Sequence, residues 1–414
     1  MGNKKMFFIM VALFAMPCYR GVSAAVAETV APLTAQAAVA QAVAANPRLA
    51  QRRAEAEART AIPAQAGTLP DPTLTLEPGR AAMNQFKVGI VQPLPYPGKL
   101  DLQREIARHE AEAATLEAGE TLLQLTAQVR QAWWQLFYLD RALQTLHHSK
   151  DLLRQLVNVA ESRYRVGAGL QQDVLRAQLG LSRLLAEEVE LVGQRRSAEA
   201  RLDALLYWPV TTAVILPAEV AETLPELPAE AELQGRAAQR PMLLARQRDI
   251  EAARSQRALA RTDYRPDFMV GANYEWRNGE PDMQGVMFSM TLPLHTATRQ
   301  DRAVDQRDAE LMAQRLALQQ AQMQVAAEVA AAAADYQRSR EQARLLKNAV
   351  IPQATQTVTS MRVGYQVGKV DFFNLSDAQM MLYDYQTRYW RAVSEAGSAW
   401  AQLVAAVGQE VVDE

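Results

Sequence analysis

The feature of the sequence that most constrains its fold is an internal repeat of about 200 residues. Residues 163–167 (RYRVG) and 364–368 (GYQVG) share Tyr, Val and Gly at a spacing of 201 residues. The other matches, whose spacing rises from 194 to 201 along the chain, are residues 46–49 with 240–243, 93–94 with 293–294, Val129 with Val329, Ala177 with Ala378, Gln178 with Gln379 and Leu181 with Leu382. Such self-similarity indicates one structural unit that occurs twice.

The sequence therefore predicts a first repeat over residues 28–207, a Pro-rich linker over 208–228 and a second repeat over 229–414. Both repeats have the same predicted order of elements. These are a helix (about 33–61 and 229–262), a β-hairpin (71–95 and 267–294) and a long helical hairpin (99–207 and 297–408).

Residues 1–27 have the pattern of a secretory signal peptide. A basic start at Lys4 and Lys5 precedes an apolar core, and residues 25–27 (AVA) provide the small residues at which signal peptidase cleaves. Cleavage removes Cys18, the only cysteine, so we expect an exported chain without disulfides, thiolate metal sites or cysteine nucleophiles. A lipid anchor on Cys18 is the less favoured alternative, because a proline precedes it.

Composition narrows the class of protein. The chain has 44 basic and 46 acidic residues, a formal net charge of -2, and so no basic excess that would indicate nucleic-acid binding. Its mean hydropathy is -0.18, and the exported part contains no run of about 18 apolar residues of the kind a membrane helix needs. Only 19 Gly and 19 Pro are present, which favours long helices.

The predicted long helices carry apolar residues at alternating steps of three and four. In the first repeat this stripe includes Leu125, Val129, Ala132, Leu136, Leu139, Leu143, Leu146 and Leu153, and the returning helix continues it through Leu184, Leu191 and Leu202. Lys150, Glu188 and Arg195 interrupt it. A sustained period of 3.5 indicates paired, supercoiled helices, here roughly 100 Å long. A solvated coiled-coil spacer has the same pattern, but the many Ala residues favour contact with further helices.

The predicted hairpins alternate with a period of two. One face of the second hairpin comprises Phe268, Val270, Ala272, Tyr274, Trp276, Val286, Phe288 and Met290, and residues 86–91 alternate in the same way. Strands of about ten residues with one apolar face are typical of a transmembrane β-hairpin. A half-buried hairpin on a soluble core is the alternative from the pattern alone.

The number of strands predicts how many chains assemble. Four strands per chain cannot close a membrane barrel, which needs about eight, and lipid does not tolerate an unpaired strand edge. Several chains are therefore expected to share one barrel. Two chains would give eight strands with a filled lumen, and three would give twelve strands with room for a channel.

Catalytic motifs are absent from the sequence. It has no Gly-rich phosphate loop, Gly-x-Ser-x-Gly or His-Glu-x-x-His. His147 and His148 are adjacent, and on a helix their side chains point about 100° apart, so they cannot hold a metal from one face. We interpret the 15 methionines as apolar filler rather than as Cu(I) ligands. We predict no enzymatic activity, no cofactor and no metal site.

Taken together, these features resemble the TolC-like outer membrane factors, the outer membrane efflux proteins that form the exit ducts of tripartite efflux and type I secretion systems. The resemblance rests on the tandem repeat, on residues 46–49 (NPRL), on residues 92–100 (QPLPYPGKL) and on the two Val-Gly turns. It implies a mainly α fold with membrane β structure. The implied assembly is a homotrimer with a twelve-stranded β-barrel in the outer membrane and an α-helical tunnel in the periplasm. Residues 92–100 are most similar to the heavy-metal CusC/CzcC-type branch.

The resemblance also implies partners and a location. The expected partners are a periplasmic adaptor (membrane fusion) protein, an inner membrane pump of the RND type and outer membrane lipid, in a Gram-negative bacterium. The duct is expected to be passive and to export heavy-metal cations; type I secretion and drug efflux are alternatives within the family. A periplasmic adaptor and a secreted coiled-coil structural protein are alternatives from other classes of protein. An adaptor carries one helical hairpin, whereas this chain has two with membrane-like strands, and a coiled-coil structural protein would not need the strands.

The turns predicted to lie farthest from the strands contain Val166-Gly167 and Val367-Gly368. Glycine permits a left-handed backbone and leaves the surface free of a side chain, so that a partner can approach closely. We predict that these turns are the docking surface for the adaptor. Ordinary turn glycines would give the same pattern.

The family's closed tip, transferred to matching positions, implies an acidic ring on the helix after the second turn. Asp377 matches one acidic position, whereas Asn374 occupies the other, and Asp371 lies nearby. The resemblance thus implies that Asp377 from three chains surrounds the axis, where it would attract cations.

The same resemblance implies a latch in which a Tyr and an Arg reach an Asp after the first turn. Tyr365 and Asp173 match this pattern, while Val370 occupies the position of the Arg, with Lys369 beside it as a candidate replacement. We predict that a hydrogen bond from the Tyr365 phenol to Asp173, worth about 1–3 kcal/mol, holds the tip closed.

Overall fold

The computed structural model describes residues 32–78, 85–210, 212–217, 224–277 and 279–409. The predicted signal peptide (1–27), with Cys18, lies outside these ranges, as do parts of the linker and of the hairpin turns. The first half contains helices α1 Ala35–Ala45, α2 Pro47–Thr60 and α3 Ile62–Ala66, strands β1 Thr73–Pro78 and β2 Gln85–Leu94, and helices α4 Lys99–Arg165 and α5 Gln171–Leu206. The second half contains α6 Glu230–Ala237, α7 Pro241–Thr262, β3 Phe268–Arg277, β4 Met283–Met290, α8 Gln300–Leu345, α9 Ile351–Gln366 and α10 Phe372–Val407. The predicted tandem repeat of mainly helical units, each with one β-hairpin, is confirmed.

The sequence predicts one continuous helix at the start of each repeat, and this prediction is wrong. Pro47 is the first residue of α2, where its missing N–H costs nothing, but it cannot continue α1. Asn46 caps the new helix, because its Oδ1 accepts the backbone N–H of Arg48 at 3.0 Å. Pro241 begins α7 in the second half. The matching prolines of the two repeats therefore mark matching breaks.

Helix α4 is uninterrupted for 67 residues, which corresponds to about 100 Å. It packs against α5, α7 and α10. The predicted apolar stripe is buried along this helix and its partners, at Val129, Leu136, Leu139, Leu146, Leu153, Leu184 and Leu202. Burial of this stripe joins the long helices into one core.

The second long helix contains a wide π-helical turn at Leu346–Val350, between α8 and α9. Pro352 follows in the first turn of α9. It has no N–H to donate, and its ring would clash with the carbonyl four residues earlier. The N–H of Ile351 donates to the carbonyl of Leu346, five residues back, and this wider turn accommodates the proline.

The polar residues that interrupt the apolar stripes form ion pairs across helices. Lys150 is buried, and its Nζ lies 2.6 Å from Oε2 of Glu188. Hydrogen bonds from Lys150 and then from His147 hold the pKa of Glu188 below its usual value. Arg195 likewise donates from Nε to Asp140 at 2.6 Å. These ion pairs link α4 to α5 at defined positions.

The four strands form one antiparallel sheet in the order β1-β2-β3-β4. Strand β2 pairs with β3 over its whole length, so the hairpins of the two halves share one hydrogen-bonded ladder. The register places on one face Leu74, Leu76, Phe86, Val88, Ile90, Leu94, Phe268, Val270, Ala272, Tyr274, Trp276, Val286, Phe288 and Met290. The opposite face carries the charged and polar residues Thr75, Glu77, Lys87, Asn273, Glu275, Arg277 and Ser289, together with Val91, Met269, Met283 and Met287.

The apolar face of the sheet is not covered by any other described part of the chain. Val286 is 85% exposed and Phe288 is 64% exposed. The alternative of a hairpin half-buried on a soluble core therefore does not describe this sheet. Among the described residues, no helix is both long enough and apolar enough to cross a membrane.

Lys99, the first residue of α4, anchors the sheet to the helices. Its Nζ lies 2.9 Å from Oδ1 of Asp263 and 2.8 Å from Oδ2 of Asp267. The other oxygen of Asp267 accepts the backbone N–H of Tyr96 at 2.8 Å. This cluster joins the end of β2, the start of α4 and the loop before β3.

Asp203, near the end of α5, is fully buried. Neither carboxylate oxygen has a hydrogen-bond partner of good geometry among the described residues. Burial, followed by the negative charge of Glu199, raises the pKa of Asp203 to about 6, and the nearby backbone of Thr212 opposes this only in part. Because the pKa is higher in the folded chain, the protonated form stabilises the fold, and this stabilisation is lost as the pH rises through about 4 to 6.

We expect Asp203→Asn, which resembles the protonated form, to stabilise the protein more at pH 8 than at pH 5, by up to about 2 kcal/mol. Thermal unfolding at the two pH values measures this difference. Asp151→Asn is the matched control, since Asp151 is an exposed residue paired with Arg154. An equal effect of Asp203→Asn at both pH values would show that Asp203 is ionised in the folded protein.

Candidate functional site at the helical tips

The two turns at the far end of the helices have the same backbone geometry. Gly167 follows α4 with a φ of +73°, and Gly368 follows α9 with a φ of +75°, both in the left-handed region that glycine adopts without strain. The N–H groups of Ala168 and Lys369 close the turns on carbonyls five residues earlier, at 2.9 and 2.8 Å. This is the usual glycine-terminated end of a helix.

The docking residues predicted from the sequence lie on the surface of these turns. Val166 is 77% exposed and Val367 is 63% exposed. Among the described residues, no atom lies within 4 Å of the position that a Cβ would occupy on Gly167. Because α4 begins beside the sheet and runs for 67 residues, its turn lies about 100 Å from the strands.

Both turns of one chain contact a common cavity of about 250 Å³. Its lining includes Arg163, Gly167, Asp173, Tyr365, Gly368 and Asp371. Five of the nine predicted site residues thus line one cavity, and Arg163, to which the sequence assigns no role, joins them.

Arg163 contacts both turns. Its guanidinium carbon lies 4.7 Å from the centroid of the Tyr365 ring, its Nη1 donates to the carbonyl of Tyr365, and its Nη2 donates to the carbonyl of Ala168 at 3.3 Å. Tyr365 is buried and packs edge-on against Phe372 at 5.6 Å. A cation over the face of an aromatic ring is attracted by the ring quadrupole.

The hydrogen bond predicted from Tyr365 to Asp173 is not formed within this chain. The phenol oxygen is buried without a hydrogen-bond partner among the described residues. Burial raises the pKa of Tyr365; the positive charge of Arg163 opposes this rise, and the negative charge of Asp173 adds to it. Asp173 is therefore close enough to act electrostatically, but it does not accept the phenol proton.

Val370, at the position of the family's Arg, packs against the backbone. Its Cγ2 lies 2.5 Å from the position that a Cβ would have on Gly364, so Gly364 leaves the room that Val370 fills. Lys369 is exposed and makes no ion pair with any described residue. The structure therefore brings neither residue into a charged contact with Asp173.

Asp371 has a local role that the resemblance does not assign. It is the N-cap of α10, and its Oδ1 accepts the backbone N–H of Asn374 at 2.9 Å. An Asp immediately before a helical segment is a recognisable capping signal, so this role was accessible from the sequence. The role of Arg163 was not, since its partner lies 202 residues away.

Asp377 lies one to two turns into α10 and is exposed. It borders a groove of about 420 Å³ together with Arg176, Arg183 and Phe373. Arg176 stacks on Phe373 at 4.7 Å, and no ion pair joins Asp377 to another described residue. Within the described part of the chain, no group of three or more His, Cys, Asp or Glu side chains is arranged to hold a metal ion.

We expect Asp371→Ala to destabilise the first turn of α10 by about 1 kcal/mol, because the N–H of Asn374 loses its acceptor. Hydrogen exchange measured by mass spectrometry should be faster in residues 372–376, and less so for Asp371→Asn, which retains an acceptor. Asp377→Ala is the control, since it removes a neighbouring charge without removing a cap. Equal exchange in Asp371→Ala and the parent would contradict the capping role.

Comparison with known proteins places this geometry in a family. The family model described as outer membrane efflux protein matches residues 38–206 and 233–409, one match in each repeat. The cobalt-zinc-cadmium resistance protein CzcC of Cupriavidus metallidurans is 22% identical over 372 residues, covering 87% of each chain. Protein CyaE of Bordetella pertussis is 25% identical over 319 residues, covering 71% of this chain and 67% of its own.

Solved structures share the fold. CusC superposes with a TM-score of 0.79 at 16% identity, covering 92% of this chain and 93% of its own. The open state of the MtrE outer membrane channel of Neisseria gonorrhoeae superposes with a TM-score of 0.79 at 18% identity, covering 91% and 89%. The chain belongs to the outer membrane efflux protein family and is an outer membrane channel that extends into the periplasm.

Proposed function

We propose that three copies of this chain form the outer membrane duct of a tripartite efflux system that exports heavy-metal cations. The observation that carries the proposal is the sheet, which exposes one apolar face and continues directly into helices about 100 Å long. An apolar face of this kind suits lipid, and the opposite face, which carries the charged residues of the sheet, suits a water-filled lumen.

The strand edges support assembly from several copies. Within the described residues, β1 and β4 each pair on one side only. Unpaired backbone groups are not tolerated in lipid, so β4 of one copy pairs with β1 of the next. Three copies give twelve strands, enough for an open lumen.

Charged side chains on the polar face suit this lumen. Lys87 and Glu77 approach to 3.5 Å on neighbouring strands, and Arg277 and Glu275 also approach to 3.5 Å. Both pairs lie at the end of the sheet away from the helices. An ion leaving the duct would pass them near its outer end, in a wall that has charges of both signs.

The helices provide the periplasmic part of the duct, and the tips provide the docking surface. The turns at Gly167 and Gly368 receive a periplasmic adaptor protein, which connects the duct to an inner membrane pump of the RND type. The sequence left open a periplasmic adaptor and a secreted coiled-coil protein; neither agrees with the outer membrane efflux family.

The choice of heavy-metal cations rests on CzcC, whose name specifies cobalt, zinc and cadmium, and on its coverage of 87% of this chain. A strain that lacks this gene should become more sensitive to Co²⁺, Zn²⁺ and Cd²⁺ than to hydrophobic antibiotics, and a plasmid copy should restore growth. A strain whose sensitivity changes only towards antibiotics would assign the duct to drug efflux instead.

Assembly of three copies can be tested by measuring the mass of the purified particle. Native mass spectrometry of the detergent-purified protein should give three copies per particle, because each copy leaves two strand edges unpaired. A folded monomer that remains soluble in detergent would contradict the shared barrel.

If the tips are the docking surface, a large side chain placed there should block export. Gly167→Trp and Gly368→Trp should abolish metal export while the trimer still reaches the outer membrane, as measured by growth and by membrane fractionation. Gly279→Trp is the matched control, since Gly279 has a similar positive φ of +88° and open space around it but lies in the β3–β4 turn at the opposite end. Loss of the trimer in both tip variants would mean that the glycines serve folding rather than docking.

A further inference from the structure

We infer that copies of this chain join in the register in which its two repeats join, and that Arg338 of one copy forms an ion pair with Glu190 of the next. Helix α8 of one copy then packs against α5 of the next as α4 packs against α10 within a copy. The inference rests on the proposed trimer and deepens it, because it names the side chains that meet between copies.

The long helices of one copy are arranged in a row. Helix α4 contacts α5 on one side and α10 on the other, and α10 in turn contacts α8. The row therefore ends at α5 on one side and at α8 on the other. Assembly of copies into a closed ring brings the α8 edge of one copy against the α5 edge of the next.

The repeat shows which residues correspond between the two junctions. Helices α5 and α10 each contain 36 residues, and each is followed by a residue with a left-handed backbone, Tyr207 with a φ of 57° and Gly408 with a φ of 86°. These two residues are 201 apart. In α4 and α8 the spacing is 200, and Leu136 and Tyr336, which match at this spacing, are both fully buried.

Within one copy, the junction between the repeats is made by contacts of α4 with α10. The guanidinium of Arg391 donates to the phenol oxygen of Tyr138 at 2.9 Å, and the hydroxyl of Ser394 donates to the carbonyl of Trp134 at 2.7 Å. The ring of Trp134 occupies the space that a side chain on Gly397 would need. The junction is thus closely packed.

The counterparts of these residues lie exposed on the two outer helices. They are Ala334 and Arg338 on α8, and Glu190, Gly193 and Arg196 on α5. Positions that bury the junction within a copy therefore have unburied equivalents on both free edges. A second copy of this chain is the partner that covers both edges at once.

The charges of the two edges are complementary. Where Arg391 meets a phenol within the copy, the equivalent register places Arg338 opposite Glu190 of the next copy. In its own copy Arg338 is 57% exposed and lies 3.4 Å from Asp335 and 3.5 Å from Glu395. A guanidinium has five N–H donors, so it can accept a further carboxylate as partner.

The sizes of the side chains are complementary as well. Within the copy the large Trp134 on α4 faces Gly397 on α10, whereas the counterparts are the small Ala334 on α8 and the large Arg196 on α5. The large side chain has moved to the other helix, and the apolar stem of Arg196 can cover Ala334. Val189, which is 75% exposed, provides a further apolar contact on the α5 edge.

The strands agree with the same register. Within the copy, Leu94 of β2 lies opposite Phe268 of β3. Their counterparts, at spacings of 200 and 194 residues, are Leu294 and Leu74, which are 79% and 62% exposed. Leu294 continues the alternation of β4, so pairing it with Leu74 of the next copy keeps both on the apolar face. A register shifted by one residue would move one of them to the other face.

Engineered cysteines test the register, since Cys18 in the predicted signal peptide is the only cysteine of the chain. The purified trimer of Gly193→Cys with Ala334→Cys should form disulfides between copies under mild oxidation, because the counterparts of these residues are joined by a hydrogen bond within the copy. Covalent dimers and trimers on non-reducing denaturing gels measure this. Gly193→Cys with Glu341→Cys is the matched control, since Glu341 is exposed on the same face of α8 but about 10 Å nearer the tip.

Reversed charges test the ion pair. Glu190→Arg and Arg338→Glu each place like charges opposite one another, so each should lower the temperature at which the trimer dissociates in detergent. The two changes together restore opposite charges and should recover most of the loss. At about 1 M salt, where charges are screened over about 3 Å, the differences should shrink.

The outcomes separate the inference from the proposed function. A trimer in which the Gly193–Ala334 pair forms no disulfide, or forms it no better than the control pair, would overturn the register. A double reversal that dissociates at the temperature of the weaker single variant would overturn the ion pair. A parent protein that is not a trimer would instead contradict the proposed duct.

Discussion

The antiparallel ladder between β2 and β3 is the interaction on which the rest of the architecture depends. It pairs ten residues of the first half with ten residues of the second, and it thereby places the two repeats side by side. Helices α4 and α8 then start from the same end of one sheet. Since Lys99–Arg165 spans 67 residues without a break and α9 ends only at Gln366, both long helices reach the same distance from the sheet. The ladder thus determines that Arg163 and Tyr365 are neighbours, although these residues lie about 100 Å from the sheet.

Buried ion pairs maintain this alignment along the length of the helices. Arg240, at the break before α7, is buried and contacts Glu120 at 2.7 Å and Glu328 at 2.6 Å, one from each long helix. Lys150 with Glu188 does the same between α4 and α5. Removing one partner of such a pair leaves an uncompensated buried charge. Helices whose apolar stripes consist of Ala and Leu can slide past one another with little loss of area, so these pairs define the register.

Periodicity in the sequence was sufficient to predict the repeats, the hairpins and the apolar stripes. A period of two shows which residues share a face, but it does not show which strand is the neighbour, so the β2–β3 ladder was not predictable from Phe86 and Trp276 alone. Lys150, Glu188 and Arg195 could be recognised as interruptions, whereas their partners depend on the relative rotation of two helices. The side-chain contacts at the tips differ from the prediction because they, too, depend on the relative rotation of the helices. Tyr365 and Asp173 match a family pattern by position, yet the phenol makes no hydrogen bond within the described residues, and the ring contacts Arg163 instead.

The π-helical turn at Leu346–Val350 accounts for a detail of the repeat itself. Val129 and Val329 are 200 residues apart, whereas Gly167 and Gly368 are 201 apart, so the second copy is one residue longer between these points. An added residue in an α-helix rotates everything beyond it by about 100°, which would turn Tyr365 of α9 away from Phe372 of α10, against which it packs. A π-helical turn takes up one extra residue locally, and it lies within this interval. The extra residue is thus accommodated as a bulge, and the two halves end in turns of the same backbone geometry although their sequences differ in length.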